Sequence, residues 1–147
     1  MSTPERWLET TLEQLGEDEC LVLLRGASLG RLAFVFDGRP EIVPLNFRYA
    51  EGVIVARTAA DTRLDQAVRT TATEVAFEVD GHDPEAATGW SVVVHGRAES
   101  VWRTEERRTI RELPLRPWAP GPREQYLRIV PAVVSGRRLR RRQPQEG

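Results

Sequence analysis

Residues 30–47 read Gly30-Arg31-Leu32-Ala33-Phe34-Val35-Phe36-Asp37-Gly38-Arg39-Pro40-Glu41-Ile42-Val43-Pro44-Leu45-Asn46-Phe47. Arg31 to Phe36 has the composition of a strand. Asp37-Gly38 is a tight hairpin signal, because both central positions of such a turn need positive φ. Glu41 to Phe47 then returns antiparallel. Pro44 cannot donate to a ladder, so it predicts an edge position or a bulge.

Downstream, Glu51-Gly52 marks another turn and Val53 to Arg57 a third strand. Asp61 to Arg69 has helical spacing at Leu64 and Val68. Glu74 to Val79 is a fourth strand, Gly81 to Gly89 a polar loop, and Trp90 to Trp102 a long fifth strand. A helix opens at Thr104-Glu105-Glu106 and stops before Pro114. Pro114 to Pro122 is proline-rich and irregular. Tyr126 to Ser135 is a last strand, bent at Pro131.

Upstream, Thr3-Pro4-Glu5 is a helix start, with Trp7, Leu8, Leu12 and Leu15 at helical spacing and Gly16 as its stop. Glu17-Asp18-Glu19 opens a second helix through Cys20, Leu21, Leu23 and Leu24, ended by Gly26. Short strands interrupted by single helices predict a mixed β-barrel with flanking helices (α+β), mostly antiparallel, rather than a βαβ nucleotide fold. One domain over 1–147 is expected, with N-terminal helices over 1–28 and a basic, flexible tail over 137–147.

With 40% hydrophobic and 29% charged residues, the chain has an ordinary soluble balance. A net charge of −1 gives no global field toward nucleic acid or membrane. No apolar run reaches the roughly 18 residues of a membrane span, and Met1 to Leu12 lacks an apolar signal core. A cytoplasmic location is the expectation. Every basic residue is arginine, which excludes a Schiff-base lysine. Cys20 is the single cysteine, and His82 and His95 are the only histidines. No metal site is expected from so few soft ligands.

Chemistry concentrates where Arg57-Thr58 ends a strand and Asp61-Thr62-Arg63 opens a helix. A helix N-terminus fed by a strand offers unpaired N–H groups and a favourable dipole to a phosphate. Arg57 and Arg63 add charge, and Thr58 and Thr62 add hydroxyl donors. The same turn also reads as a solvated loop. Trp90, Trp102 and Trp118 read as core or interface anchors, His95 as a structural histidine in an alternating strand. Arg137-Arg138 and Arg140-Arg141-Arg142 form a basic cluster without interleaved aromatics, so a solvated tail is preferred to a nucleic-acid arm.

The hairpin of residues 30–47 resembles the opening of the flavin-binding split barrels of the pyridoxamine 5'-phosphate oxidase-like family. Arg57-Thr58 followed by Arg63-Leu64 is similar to that family's phosphate turn, where lysine is usual before leucine. Phe77-Glu78-Val79-Asp80 and Gly89 to Ala98 resemble the strands that pass the flavin ring. Leu115 to Gly121 resembles a segment of the small actinobacterial-type members. The likeness runs from about Gly30 to Arg138.

The resemblance implies an FMN-binding split barrel whose flavin lies at a homodimer interface. Arg57, Thr58, Thr62 and Arg63 would hold the phosphate. Pro44, Asn46 and Phe47 would meet the ring and ribityl chain, and Trp90 and Ser91 would contact the flavin from its inner strand. The implied activity is oxidoreduction of a small-molecule substrate by hydride transfer at the flavin. The alternatives are an oxidoreductase using a deazaflavin coenzyme, or a flavin- or haem-binding carrier or sensor without turnover. No catalytic acid or base stands out in the sequence. The oxidase reaction on pyridoxamine phosphate itself is not expected, because Val130 to Gly147 lacks a convincing substrate-binding segment.

Overall fold

The computed structural model describes residues 10–114 and 124–141. Its elements are β1 (Thr10–Leu15), α1 (Glu17–Gly26), β2 (Leu29–Phe36), β3 (Arg39–Ala50), β4 (Val53–Ala59), α2 (Arg63–Val68), β5 (Thr73–Asp83), β6 (Thr88–Ser100), α3 (Thr104–Glu112) and β7 (Glu124–Arg141). Every strand pairing is antiparallel. The sheet runs β1-β7-β4-β3-β2-β5-β6, and β6 pairs back onto β7. A barrel therefore closes from β7 through β4, β3, β2, β5 and β6, with β1 outside it on the far half of β7. This is the mixed, mostly antiparallel barrel that the strand spacing predicts.

The β2–β3 hairpin turns at Asp37 and Gly38, with φ of 50° and 72°. Those left-handed values are what a two-residue turn matching the strand twist requires. Pro44 sits opposite Arg31 of β2, whereas β4 pairs with β3 only over Phe47–Ala50. β3 is thus an interior strand whose proline occupies a stretch paired on one side, which satisfies the rule against proline in a full ladder. In β7, His95 faces Val133 and Gly96 faces Pro131, so Ala132 is an extra residue in a bulge. The bend expected at Pro131 is this bulge.

Among the described residues, two apolar clusters form the interior. The barrel core takes Leu32, Phe34, Leu45, Phe47, Ile54, Phe77, Val94, Leu127 and Ile129, closed by Cys20 and Leu24 of α1 and by Leu64 and Val68 of α2. α1 buries Cys20 and Leu24 one turn apart, and its ends carry Glu17, Asp18 and Glu19 first and Arg25 last, in the sense its dipole favours. The smaller cluster, Val55, Val101, Ile110 and Tyr126, lies between α3 and the outside of β4 and β7.

Two segments differ from the sequence expectation. Thr10–Leu15 is a strand, not the end of a helix, because it pairs with Gly136–Arg141 of β7. Helix spacing at Leu12 and Leu15 is overridden by that distant partner. Arg137–Arg141, expected in a flexible tail, lies inside β7, between β6 and β1 over Arg137–Leu139. Its charge is balanced there: Arg140 Nε donates to Glu13 at 2.7 Å and Arg138 lies 3.5 Å from Glu19. The polar loop expected over Gly81 to Gly89 is also shorter, since β5 continues to Asp83 and β6 begins at Thr88. The helix start at Thr3 to Glu5, the Leu115 to Gly121 segment with Trp118, and the tail beyond Arg141 lie outside the described residues. No helix among the described residues is long and apolar enough to cross a membrane.

Candidate functional site

The strand end at Ala59 leads through a tight turn into α2. Asp61 takes a left-handed φ of 63°. Its amide donates to Asp65 Oδ2 at 2.8 Å, and Arg69 donates both to Asp61 Oδ1 at 2.9 Å and to the Asp65 carboxylate. Thr62 is the N-cap: its Oγ1 donates to the Ala59 carbonyl at 3.1 Å and accepts from the Asp65 amide at 3.1 Å. The amides of Arg63 and Leu64 belong to the first helical turn, where the helix itself has no carbonyl to offer them. Arg63 is two-thirds exposed and donates to Glu41 at the start of β3 at 2.8 Å. The turn thus presents first-turn amides and one exposed guanidinium, paired with Glu41, at a positive helix end. Its one buried acid, Asp65, is already matched by Arg69.

Arg57 does not join that set. Its side chain is 14% exposed and turns under α3, where Nη1 donates to Glu124 at 3.2 Å and Nη2 to the Arg111 carbonyl at 3.2 Å. Its guanidinium stacks 5.7 Å from the Tyr126 ring centroid, and Arg107 stacks at 4.9 Å. Tyr126 in turn donates to Glu124 at 2.8 Å. Arg57 Nε is buried without a partner. The physical reason is alternation: Val55 and Arg57 face α3, whereas Ile54 and Ala56 face the barrel core. Arg57 braces α3 rather than lying beside Arg63. Thr58, half-buried, sits opposite Gln125 of β7.

On β3, alternation separates the expected ligand residues in the same way. Phe47 is 1% exposed, meets Phe77 edge-on at 4.9 Å, and its amide donates to the Ser28 carbonyl at 2.9 Å. Both its ring and its N–H are occupied, so it is a core residue. Pro44 and Asn46 are half-buried on the opposite, outer face. The register continues their rows around the barrel: Pro44 faces Arg31, Arg31 faces Glu78, and Glu78 faces Val93. Arg31 donates to Glu78 at 3.3 Å and to Asp80 at 3.0 Å. Burial is the main cause that lifts the Glu78 carboxyl above its ordinary range; neighbouring Asp80 adds to it, and Arg31 opposes it.

Ser91 lies on this outer face between Asp80 and Arg137. Trp90 points to the other side of β6, its indole packed over the bare Cα of Gly81. Two grooves, of about 340 and 330 Å³, meet at Ser91 and Arg137, and neither is lined by a residue of the Arg57–Arg63 turn. The sequence-predicted residues are therefore scattered on one subunit, with Arg57 under α3, Phe47 in the core, Trp90 over Gly81, and Pro44 and Asn46 on the outer face. Thr58, Thr62 and Arg63 surround the turn near Glu41, while Ser91 belongs to the β5–β6–β7 wall. Arg137 escaped the sequence reading because it looks like tail. Its neighbours on the adjacent strands, Gln14 and Ser91, lie far upstream in sequence, so nothing local marks it.

Elsewhere the outer face carries an apolar patch, bordered by Glu74 and Arg97. Ile42, Ala33, Ala76, His95 and Val133 form one row across five strands. Ile42 is 65% exposed, and Val35 and Val133 nearly as much. A groove of about 440 Å³ between Val35, Pro40, Ala76, His95 and Ala132 indents it.

The model of a protein family described as pyridoxamine 5'-phosphate oxidase matches residues 16–138. An uncharacterized protein of Mycobacterium tuberculosis is 35% identical over 129 residues, covering 86% of this chain and 84% of the relative. The structure of an FAD-binding protein from Mycobacterium smegmatis superposes with a TM-score of 0.72 at 33% identity, covering 86% of this chain and 97% of that one. An FAD-binding protein from Mesorhizobium loti gives the same TM-score and coverage at 26% identity.

Proposed function

The chain belongs to the pyridoxamine 5'-phosphate oxidase family, and from that premise we propose that it binds a flavin, FMN, between two copies of itself and acts as an oxidoreductase on a small molecule. The observation that carries this is the capped strand-to-helix turn with Arg63 exposed at its rim. First-turn amides and an arginine fork suit a phosphate dianion. Thr58, Thr62 and Arg63 would hold that phosphate, with Pro44 and Asn46 beside the ring. When bound, the flavin supplies hydride transfer at its N5, and the protein's part is orientation and exclusion of water.

Ser91 stands on a different wall from the turn, which supports its contribution from a second subunit. The exposed Ile42, Val35 and Val133 supply apolar surface for that subunit to cover. A second reading, FAD in place of FMN, is favoured by relatives named as FAD-binding at 33% and 26% identity. Mass spectrometry of the ligand released from purified protein tests the cofactor, and sedimentation tests the assembly. The proposal expects FMN, or FAD in the second reading, at one per subunit in a dimer. A monomer that retains flavin contradicts the shared site, and a deazaflavin or haem contradicts the cofactor.

A further inference from the structure

We propose that Arg137 and Ser91 form a second oxyanion-binding subsite, separate from the phosphate turn. The two residues are register partners across β6 and β7, and both line the two grooves that meet there. The other charges on this strand are engaged: Arg138 lies against Glu19 and Arg140 against Glu13. Arg137 forms no ion pair among the described residues. Asp80, across from Ser91, is tied to Arg31 at 3.0 Å. The result is an exposed guanidinium beside a hydroxyl, with Gln14 on its other flank. A planar fork plus a neighbouring hydroxyl is the donor set that phosphate and carboxylate oxygens select.

The grooves are wide enough for a phosphate or carboxylate group with part of its carrier. That group is either the second phosphate of a dinucleotide flavin or the acid group of the substrate. Its assignment to one of these rests on the flavin reading above; the subsite itself does not.

The test titrates pyrophosphate calorimetrically into the full chain carrying Arg63→Ala, which removes the turn's own arginine. Arg137→Gln is added in one version and Arg140→Gln in another, with melting temperatures measured on both. The expected result is pyrophosphate binding weakened about tenfold or more by Arg137→Gln, the scale of one lost charged hydrogen bond, and unchanged by Arg140→Gln. Equal effects of the two, or no binding before either is introduced, overturn the subsite. Fluorescence titrations of FMN and FAD into the Arg137→Gln chain separate the sources. Selective loss of FAD identifies the flavin's second phosphate. Unchanged preference, with pyrophosphate weakened, identifies the acid group of a substrate. A chain that binds neither flavin but still responds to Arg137→Gln rejects the flavin reading and retains the subsite.

Discussion

Glu13 accepts a hydrogen bond from Arg140 Nε at 2.7 Å, fastening the first described strand to the last. Both side chains are about half exposed, so the pair itself contributes within roughly 1 kcal/mol. The backbone ladder behind it matters more. A chain ending after Gly136 loses nearly all of the β1 pairing and the Arg137–Leu139 pairing with β6. It should melt clearly below the full chain, whereas Glu13→Ala should shift the midpoint little. Thermal melts of the three proteins check this. Equal midpoints for the truncated and full chains would restore the tail reading.

Arg63 and Arg57 should separate experimentally. Arg63→Ala should weaken FMN by about ten- to more than a hundredfold, the equivalent of 1.5–3 kcal/mol for a charged hydrogen bond. Riboflavin, which lacks the phosphate, should bind unchanged, and so should the melting temperature. Arg57→Ala instead removes the brace between β4, Glu124 and α3, so its main effect should be a lower melting temperature. Flavin fluorescence titrations beside melting curves decide. Equal losses for FMN and riboflavin in Arg63→Ala would remove the phosphate assignment.

The Phe47–Phe77 contact predicts the sharpest stability losses. Phe77→Ala opens a cavity in the barrel core and should cost about 3–5 kcal/mol. A Cβ on Gly30 would lie 2.2 Å from Phe77 Cζ, so Gly30→Ala should cost about 1–3 kcal/mol by overpacking. Denaturant titration measures both. A Gly30→Ala chain as stable as the parent would mean that the ring moves aside freely.

Glu78 makes stability depend on pH in a defined direction. Its carboxyl holds a proton more tightly in the folded chain than in the unfolded one, chiefly through burial. Stability from that proton is present below the unfolded pKa and is lost as pH rises through the folded value. Glu78→Gln, which mimics the protonated form, should therefore melt higher than the parent at pH 7, with the gap closing toward pH 4. The side chain is about one-third exposed, and screening limits the gain to about 4 °C or less. A gap that widens on acidification would contradict the assignment and make the Arg31 pairing dominant.

The barrel was legible where local signals agree with the final fold. Asp37-Gly38 announced its turn, and the hydrophobic runs of β2 to β6 announced their strands. Thr10–Leu15 was not legible, because its strand state comes from a partner more than a hundred residues away and its leucines carry helical spacing. The same separation hid Arg137–Arg141, whose charge density reads as solvated until Glu13 and Glu19 are brought beside it. At the candidate site, the turn of Thr58, Thr62 and Arg63 was readable from residue type. The divergence of Arg57, and the burial of Phe47 beside half-exposed Asn46, depend on which face each strand presents inward. A one-residue phase decides that, and composition does not carry it.

Barrel closure also sets when this protein can become safe during synthesis. β7 is the strand that joins β4 to β6, and it emerges after all the others described. Until it leaves the ribosome, β4 and β6 are raw edges of an open sheet, with unpaired amides and an incomplete core. The nascent chain must therefore wait, unclosed and sticky, for its final described strand. The closing β4–β7 pairs lie 65 to 75 residues apart in sequence, and such long-range pairings are slow to form and exposed to aggregation meanwhile. Open edges of this kind are the surfaces that chaperones exist to cover.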